Sequence, residues 1–334
     1  MIDYLPYDQR KPDEQYENLL REIVLKGKDK VPIHARLSEN NKSGHHNSRE
    51  LSGKCFEYHL ENGFPLLTCR DFTKSFRGAT AEMIAFINGA DSLSSLRKFG
   101  CPDIFWDRWV TKEKCDLLGI EEGSLGRGSY GNSLTKFPAE TKDGKSILFD
   151  QIEALQSNMK KMPFLRTHAI TSWNPPYSMG DSNQNRPREV AVAPCHGNFI
   201  HFVVWDDLGE IEMTITNRSS DSPVGLPLNI PEWCIFGLMV AHLLGYKFTK
   251  YTVFLCNPHY YDIQLPAIEK MVGKSQNKLL RFICKMFGYK TPRRFPTVKI
   301  KDGVKVKSLK EFRKSDFVLE DYDPHPMFEI DTPV

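Results

Sequence analysis

Between Trp233 and Gly245 the chain reads WCIFGLMVAHLLG, an apolar run without an acidic residue, a lysine or an arginine. A helix that is apolar on every side has to be buried, so the fold must build its layers around this segment. At this length the run falls short of the ~20 residues that cross a bilayer, and no membrane is implied. The stretch that leads into it, NRSSDSPVGLPLNIPEW, is dense in polar and turn-forming residues. Running straight into a buried helix, it cannot be a floppy surface loop.

Other elements follow from periodicity. Tyr16, Leu19, Leu20, Ile23 and Val24 stand at helical spacing in a segment that opens after Asp13 and closes on Gly27. LSENNKSGHHNSRELSG reads as a loop, and KCFEYHLENGFPLLT as two strands around a turn at Glu61 to Gly63. From Thr80, the residues Met83, Ile84 and Ile87 mark a helix stopped by Gly89; DSLSSLRKFG and DQIEALQSNMKKM predict two more, the second ended by Pro163. HAITSW, FIHFVVW, GEIEMTITNRS and KYTVFLC read as strands, the middle pair joined into a hairpin by DDLG, and a basic tail holds RFPTVKI. With no repeat and no dividing linker, the reading is one α+β domain over 1–334, with polar insertions near 38–50, 110–128, 176–190 and 270–290.

Charge and cysteine usage narrow the function. A net charge of +3, with Lys and Arg dispersed among a similar number of Asp and Glu, forms no broad basic face, which argues against polymeric nucleic acid as a partner. The eight cysteines form no CxxC pair and no metal-spaced cluster, and the first residues lack the apolar segment of a signal peptide. These features predict a reduced, cytoplasmic protein without a metal.

A lone cysteine is most often a small buried hydrophobe. Cys195, in VAPCHGNFIHF, has company: on the hairpin reading Arg218 ends the strand that pairs with the one following Cys195, and a guanidinium beside a thiol favours the reactive thiolate. His196, one residue along, points elsewhere if the segment is extended. Arg218 and Ser219 together suit a phosphate, and Asn229, with both a donor and an acceptor, suits the edge of a base. His259 and Tyr261, two apart in PHYYD, share a face in an extended segment and could hold hydroxyls; a buried His–Tyr hydrogen bond is equally ordinary. Glu82, at the edge of a buried helical stripe, would have a raised pKa suited to acid–base work, whereas most helical glutamates are solvated. Trp106 and Trp109 could stack on a flat heterocycle, although tryptophans are by default core.

Taken in order, APCH, RSSDSPVGLPLN, PHYY, ENGFPLLT, AEMIAFING, FWDRW and the closing YDPHP resemble the motifs of the folate-dependent thymidylate synthase family, from about Tyr16 to Val334. The resemblance implies that family's fold, a large mixed β-sheet packed with helices, one sheet face forming a homodimer interface. It implies that Cys195 adds to C6 of the uracil of dUMP, making C5 able to take a one-carbon unit from 5,10-methylenetetrahydrofolate. Arg218, Ser219 and Arg166 would hold the phosphate, with Arg166 lent across the dimer. His259 and Tyr261 would hold the ribose 3′-hydroxyl, and Asn229 would read N3–H and O4; the related dCMP hydroxymethylases carry aspartate there. Glu82 and Tyr130 would serve proton transfer near C5, and Trp106, Trp109, Asp221, Val224, Gly225 and Leu228 would form the folate wall.

Departures from the pattern bear on outcome. A second phosphate arginine is replaced by Thr167, the N-terminal phosphate loop has no clear copy, with Arg36 or Arg49 as its substitutes, and Ile200 and Leu228 replace the family's glutamine and phenylalanine. Hydride added to the methylene at C5 gives dTMP; water gives 5-hydroxymethyl-dUMP, as in viruses with modified bases, whose host cytoplasm would then house the enzyme. Retained Trp106, Tyr130 and YDPHP favour thymidylate synthesis, while Ile200 and Leu228 favour the hydroxymethyl product. A catalytically inactive nucleotide-binding protein is the third reading, disfavoured by the survival of Cys195, Glu82, Arg218 and Asn229 together.

Overall fold

The computed structural model describes residues 1–30, 47–181, 183, 187–272 and 291–331. Its centre is the helix Leu226–Leu244, closed by Gly245 in the left-handed conformation (φ 76°). Trp233, Phe236 and Met239 on this helix are fully buried. This is the one helix among the described residues long and apolar enough to cross a membrane, and it lies inside the core. Helix Thr73–Ile87 packs along one flank, and a five-stranded mixed sheet packs along the other.

That sheet runs in the order Lys54–His59, Lys247–Leu255, Glu210–Asn217, Phe199–Trp205, Ala169–Ile170. Its central pair is parallel and the remaining neighbours are antiparallel. Period-two alternation sends Ile211, Met213 and Ile215 inward with Ile200 and Phe202, where the Phe202 and Phe236 rings meet edge to face at 5.8 Å. The opposite face carries Phe199, Trp205 and Phe254, each about half exposed.

The two parallel strands do not stop at the sheet's edge. After Asn217 the chain turns through Arg218 and Ser219 into Ser220–Asp221, and after Leu255 it turns through Cys256 and Asn257 into Pro258–Tyr261. These extensions pair parallel again, Pro258 with Ser220 and His259 with Asp221, in a second sheet completed by Ser48–Glu50 and Lys28–Lys30. The crossing between sheets is where the polar side chains collect.

Several sequence expectations need correction. ENGFPLLT is not the second arm of a hairpin: Leu60–Asn62 forms a 3-10 turn, and Phe64 onward is irregular and buried. Its Phe64 N–H goes to Pro296 O (2.8 Å) instead of to a neighbouring strand, and Pro65 has no N–H to offer a ladder. The helix expected from Thr80 begins at Thr73, where the Asp71 carboxylate accepts from the Thr73 N–H (2.8 Å). Gly78 belongs inside it because a Cβ there would stand 2.9 Å from Pro102. Within the segment read as a polar loop, Ser48–Glu50 is a strand of the second sheet, and Arg36 lies outside the described residues. The region near 110–128 contains a helix, Lys112–Leu118.

Candidate active site

Cys195 lies in the loop that enters strand Phe199–Trp205, against the crossing between the two sheets. The turn after it depends on Gly197, at φ +60° with the Trp233 ring so close that a Cβ would stand 2.0 Å from it. Arg218 is clamped to the same loop: Nε donates to Pro194 O (2.7 Å) and Nη2 to Ala193 O (2.8 Å), and its backbone N–H is held by Asn198 Oδ1 (2.7 Å). So fixed, Nη2 stands 3.5 Å from the Cys195 sulfur. The hairpin pairing expected from sequence is what produces this approach, since Phe199 faces Thr216 in register.

Two cavities meet at Cys195. One, of about 680 Å³, is lined by Arg218, Ser219, His259 and Tyr261, and also by Lys30, Lys114, Arg188, Ser48 and Glu50. Its cations outnumber its single carboxylate, so it favours a dianion. His259 Nδ1 lies 3.1 Å from the Asn257 carbonyl, which makes Nδ1 the donor and leaves Nε2 to accept from a hydroxyl.

The second cavity, of about 400 Å³, is lined by Glu82, Trp106, Trp109, Tyr130, His196 and Asn229, with Asp221, Val224, Gly225 and Leu228 along its other wall. Trp106 Nε1 donates to Glu82 Oε1. Burial pushes the Glu82 carboxyl up to about 7, with the Trp106 hydrogen bond pulling the other way. The Tyr130 hydroxyl oxygen accepts the backbone N–H groups of Cys195 (2.7 Å) and His196 (3.3 Å), leaving its own proton to donate. His196 is held neutral, its pKa pushed down to about 3 by burial and secondarily by Arg218. Its Nδ1 accepts from Trp233 Nε1 (2.8 Å), which places the ring proton on Nε2. Asp221 accepts from the Val224 N–H (3.2 Å) and from Gln264 Nε2, which also reaches Asp331 O (3.3 Å) in the C-terminal tail.

Cys195, Arg218, Ser219, Asn229, His259, Tyr261, Glu82, Tyr130 and the residues read as a folate wall line these two cavities; Arg166, Thr167, Arg49 and Ile200 do not. Arg166 is exposed, and its carbonyl lies 3.1 Å from His201 Nε2 on the outer face of the large sheet. Arg49 alternates away from Ser48 and Glu50 in its strand, and its guanidinium goes to Asp29 and the Ile23 carbonyl. It lines neither cavity. Ile200 is buried in the core face of the sheet and lines neither cavity.

Four residues escaped the sequence reading. Lys30 reaches the cavity from the edge strand of the second sheet. Lys114 and Arg188 reach it from two of the polar insertions, which were expected to add bulk outside the site. Glu232 is 1% exposed, behind Asn229. Its signal was present as an acid inside the apolar run IPEWCIF; the other three carry no local signal, being ordinary surface-type cations in sequence.

A model of the family described as thymidylate synthase matches residues 14–334. The chain is 28% identical over 335 residues to thymidylate synthase 1/2 of Encephalitozoon cuniculi (strain GB-M1), covering 98% of this chain and 99% of that protein. It is also 28% identical over 341 residues to the bifunctional dihydrofolate reductase-thymidylate synthase of Zea mays, covering 98% of this chain but 56% of that longer protein.

Proposed function

The chain belongs to the thymidylate synthase family, and from that premise we propose that it is a single catalytic domain that methylates dUMP at C5 to give dTMP. One observation carries the reading: Cys195 and the clamped Arg218 stand 3.5 Å apart where an anion-binding cavity meets one lined by Glu82, Tyr130 and Asn229. Arg218 sets positive charge against the sulfur, an arrangement that stabilises an anionic nucleophile. The sulfur adds to C6 of the uracil, Asn229 faces the N3–O4 edge, and the phosphate lies among Arg218, Ser219, Lys30 and Arg188. The ionised Glu82 carboxyl takes the proton leaving C5, and the Tyr130 hydroxyl donates a hydrogen bond beside it.

5,10-Methylenetetrahydrofolate is the family's cosubstrate, supplying the one-carbon unit and the hydride. The second cavity suits it: Trp106, Trp109, Val224 and Leu228 offer flat apolar walls, and the Asp221 carboxylate, held by Val224 and Gln264, offers an acceptor for an N–H edge. The C-terminal segment is tied to residues 67–72. The Tyr322 hydroxyl donates to Leu67 O (2.8 Å) and accepts the Phe72 N–H (3.1 Å), and the His325 N–H donates to Thr68 O (2.9 Å). The aromatic side chains Trp106, Trp109 and Tyr130 in the lining leave little polar surface to hold a water at the methylene, which supports the methyl product over the hydroxymethyl one. The test is mass spectrometry of the nucleotide made from dUMP and methylenetetrahydrofolate, with dihydrofolate absorbance followed in the same tube. A methyl product with dihydrofolate supports the reading; a hydroxymethyl product with unoxidised tetrahydrofolate replaces it.

Arg188→Met should weaken dUMP binding about fivefold to tenfold and leave deoxyuridine binding unchanged, because only the phosphate meets the lost charge. Titration calorimetry with both ligands separates this from general damage. For assembly, the outer face of the large sheet, with Phe199, Trp205 and Phe254 half exposed and Arg166 beside it, supports a homodimer in which Arg166 completes the partner's phosphate site. Mixing inactive Arg166→Met and Cys195→Ser proteins should then restore part of the activity through hybrid dimers, with a ceiling near one quarter of wild type; no recovery after subunit exchange would leave Arg166 without that role. The cytoplasm is the compartment that goes with reduced cysteines and a nucleotide-synthesising reaction.

A further inference from the structure

We propose that Glu232 is a positioning residue for base choice: its buried carboxyl holds the Asn229 side-chain amide in the orientation that fits uracil and not cytosine. The inference rests on the reading of this site as a dUMP site.

An asparagine by itself does not choose between the two bases. Uracil presents N3–H and O4, a donor and an acceptor; cytosine presents N3 and N4–H₂, an acceptor and a donor. Rotating the amide by half a turn exchanges Oδ1 and Nδ2 and converts a match for one base into a match for the other. Selectivity therefore needs a neighbour that fixes the amide.

Glu232 has the position for this. It lies three residues after Asn229 in the helix Leu226–Leu244, a spacing that makes the two side chains neighbours on one face. On the other side, the Asn229 Oδ1 is next to Gly225, where even an added Cβ would be 3.5 Å away and no side-chain donor exists. The Asn229 amide is close enough to the Glu232 carboxyl to favour its ionised form, against the burial and the nearby Glu82 that disfavour it. An acceptor at this spot selects the orientation with Nδ2 toward Glu232. The second Nδ2 hydrogen is then free to meet O4, and Oδ1 to meet N3–H.

The surroundings argue against a merely tolerated residue. Glu232 is 1% exposed, and neither carboxyl oxygen has a partner at full hydrogen-bond geometry. His196 Nδ1 is 3.9 Å from Oε2 and already takes the Trp233 N–H. Burial, then Glu82, pushes its pKa well above the usual carboxylate range, and the Asn229 amide pulls the other way. A buried acid without full partners costs stability compared with a leucine of similar volume, so its presence beside the base-reading residue points to specificity.

The experiment compares dUMP with dCMP by titration calorimetry and by kcat/KM, in wild type, Glu232→Gln, Glu232→Leu and Glu232→Ala, each checked by its melting transition. Wild type must first prefer dUMP; if it does not, the functional reading itself fails. Given that preference, Glu232→Leu and Glu232→Ala should each lower the dUMP to dCMP ratio about tenfold or more, while Glu232→Gln, whose own amide can turn either a donor or an acceptor toward Asn229, falls between them and wild type. An unchanged ratio in either folded apolar variant overturns the proposal. So does failure of both to fold, which would make the residue structural.

Discussion

Cys195→Ser will abolish turnover, lowering kcat by at least about 10⁴-fold, while dUMP still binds within a few fold of wild type. The hydroxyl is nearly isosteric, and the groups proposed to bind the nucleotide come from other elements. Arg218 is held by the carbonyls of Ala193 and Pro194, Ser219 by its backbone N–H to Cys195 O (3.3 Å), and His259 by its own strand. None of these depends on the sulfur. What a serine lacks is an accessible anion, because an alcohol opposite a guanidinium remains protonated at neutral pH. Single-turnover kinetics with dUMP and folate, alongside calorimetric binding of dUMP, checks both halves. Turnover near wild type would remove Cys195 from the chemistry, and loss of binding would mean that the substitution disturbs the loop.

Glu82→Gln should lower kcat by about 10²-fold to 10³-fold and erase an ionisation from the rate profile. In the wild type, burial puts the Glu82 carboxyl at about 7. Proton removal at C5 requires the ionised form, so kcat should rise with pH through about 7 and level off above it. The glutamine keeps an acceptor for the Trp106 N–H and cannot titrate, so the variant's profile should be flat across the same range. A rising limb that survives in Glu82→Gln would have to come from another group. Among the residues around it, His196 is held neutral across that range by its pKa near 3.

The strand and helix content was largely legible. Alternation along GEIEMTITN and helical spacing along QYENLLREIVLK are local signals that burial simply reinforced. ENGFPLLT misled because its apolar residues are buried by contacts with the distant Pro296 segment, without a neighbouring strand to make them a ladder. The start of the helix Thr73–Ile87 was hidden by Gly78, whose smallness answers to Pro102 and Phe105 across a tertiary contact.

For the site, the motifs along the chain were enough to single out Cys195, Arg218, Asn229, Glu82 and the aromatic residues that the structure brings to the two cavities, because each belongs to a short stretch whose members stay together after folding. Sequence could not show Lys30, Lys114, Arg188 or Glu232. The first three are surface-type cations until two parallel strands cross from one sheet to the next and open a cavity facing them. Whether a charge lines a cavity or meets solvent depends on where other segments end, and a distance such as the 3.5 Å between Arg218 and Cys195 is set by strand register. Residue type and spacing thus determined which chemistry is available; the crossing of the two sheets and the burial around Leu226–Leu244 decided which groups meet and in what protonation state, because proximity and desolvation are properties of the whole packed chain.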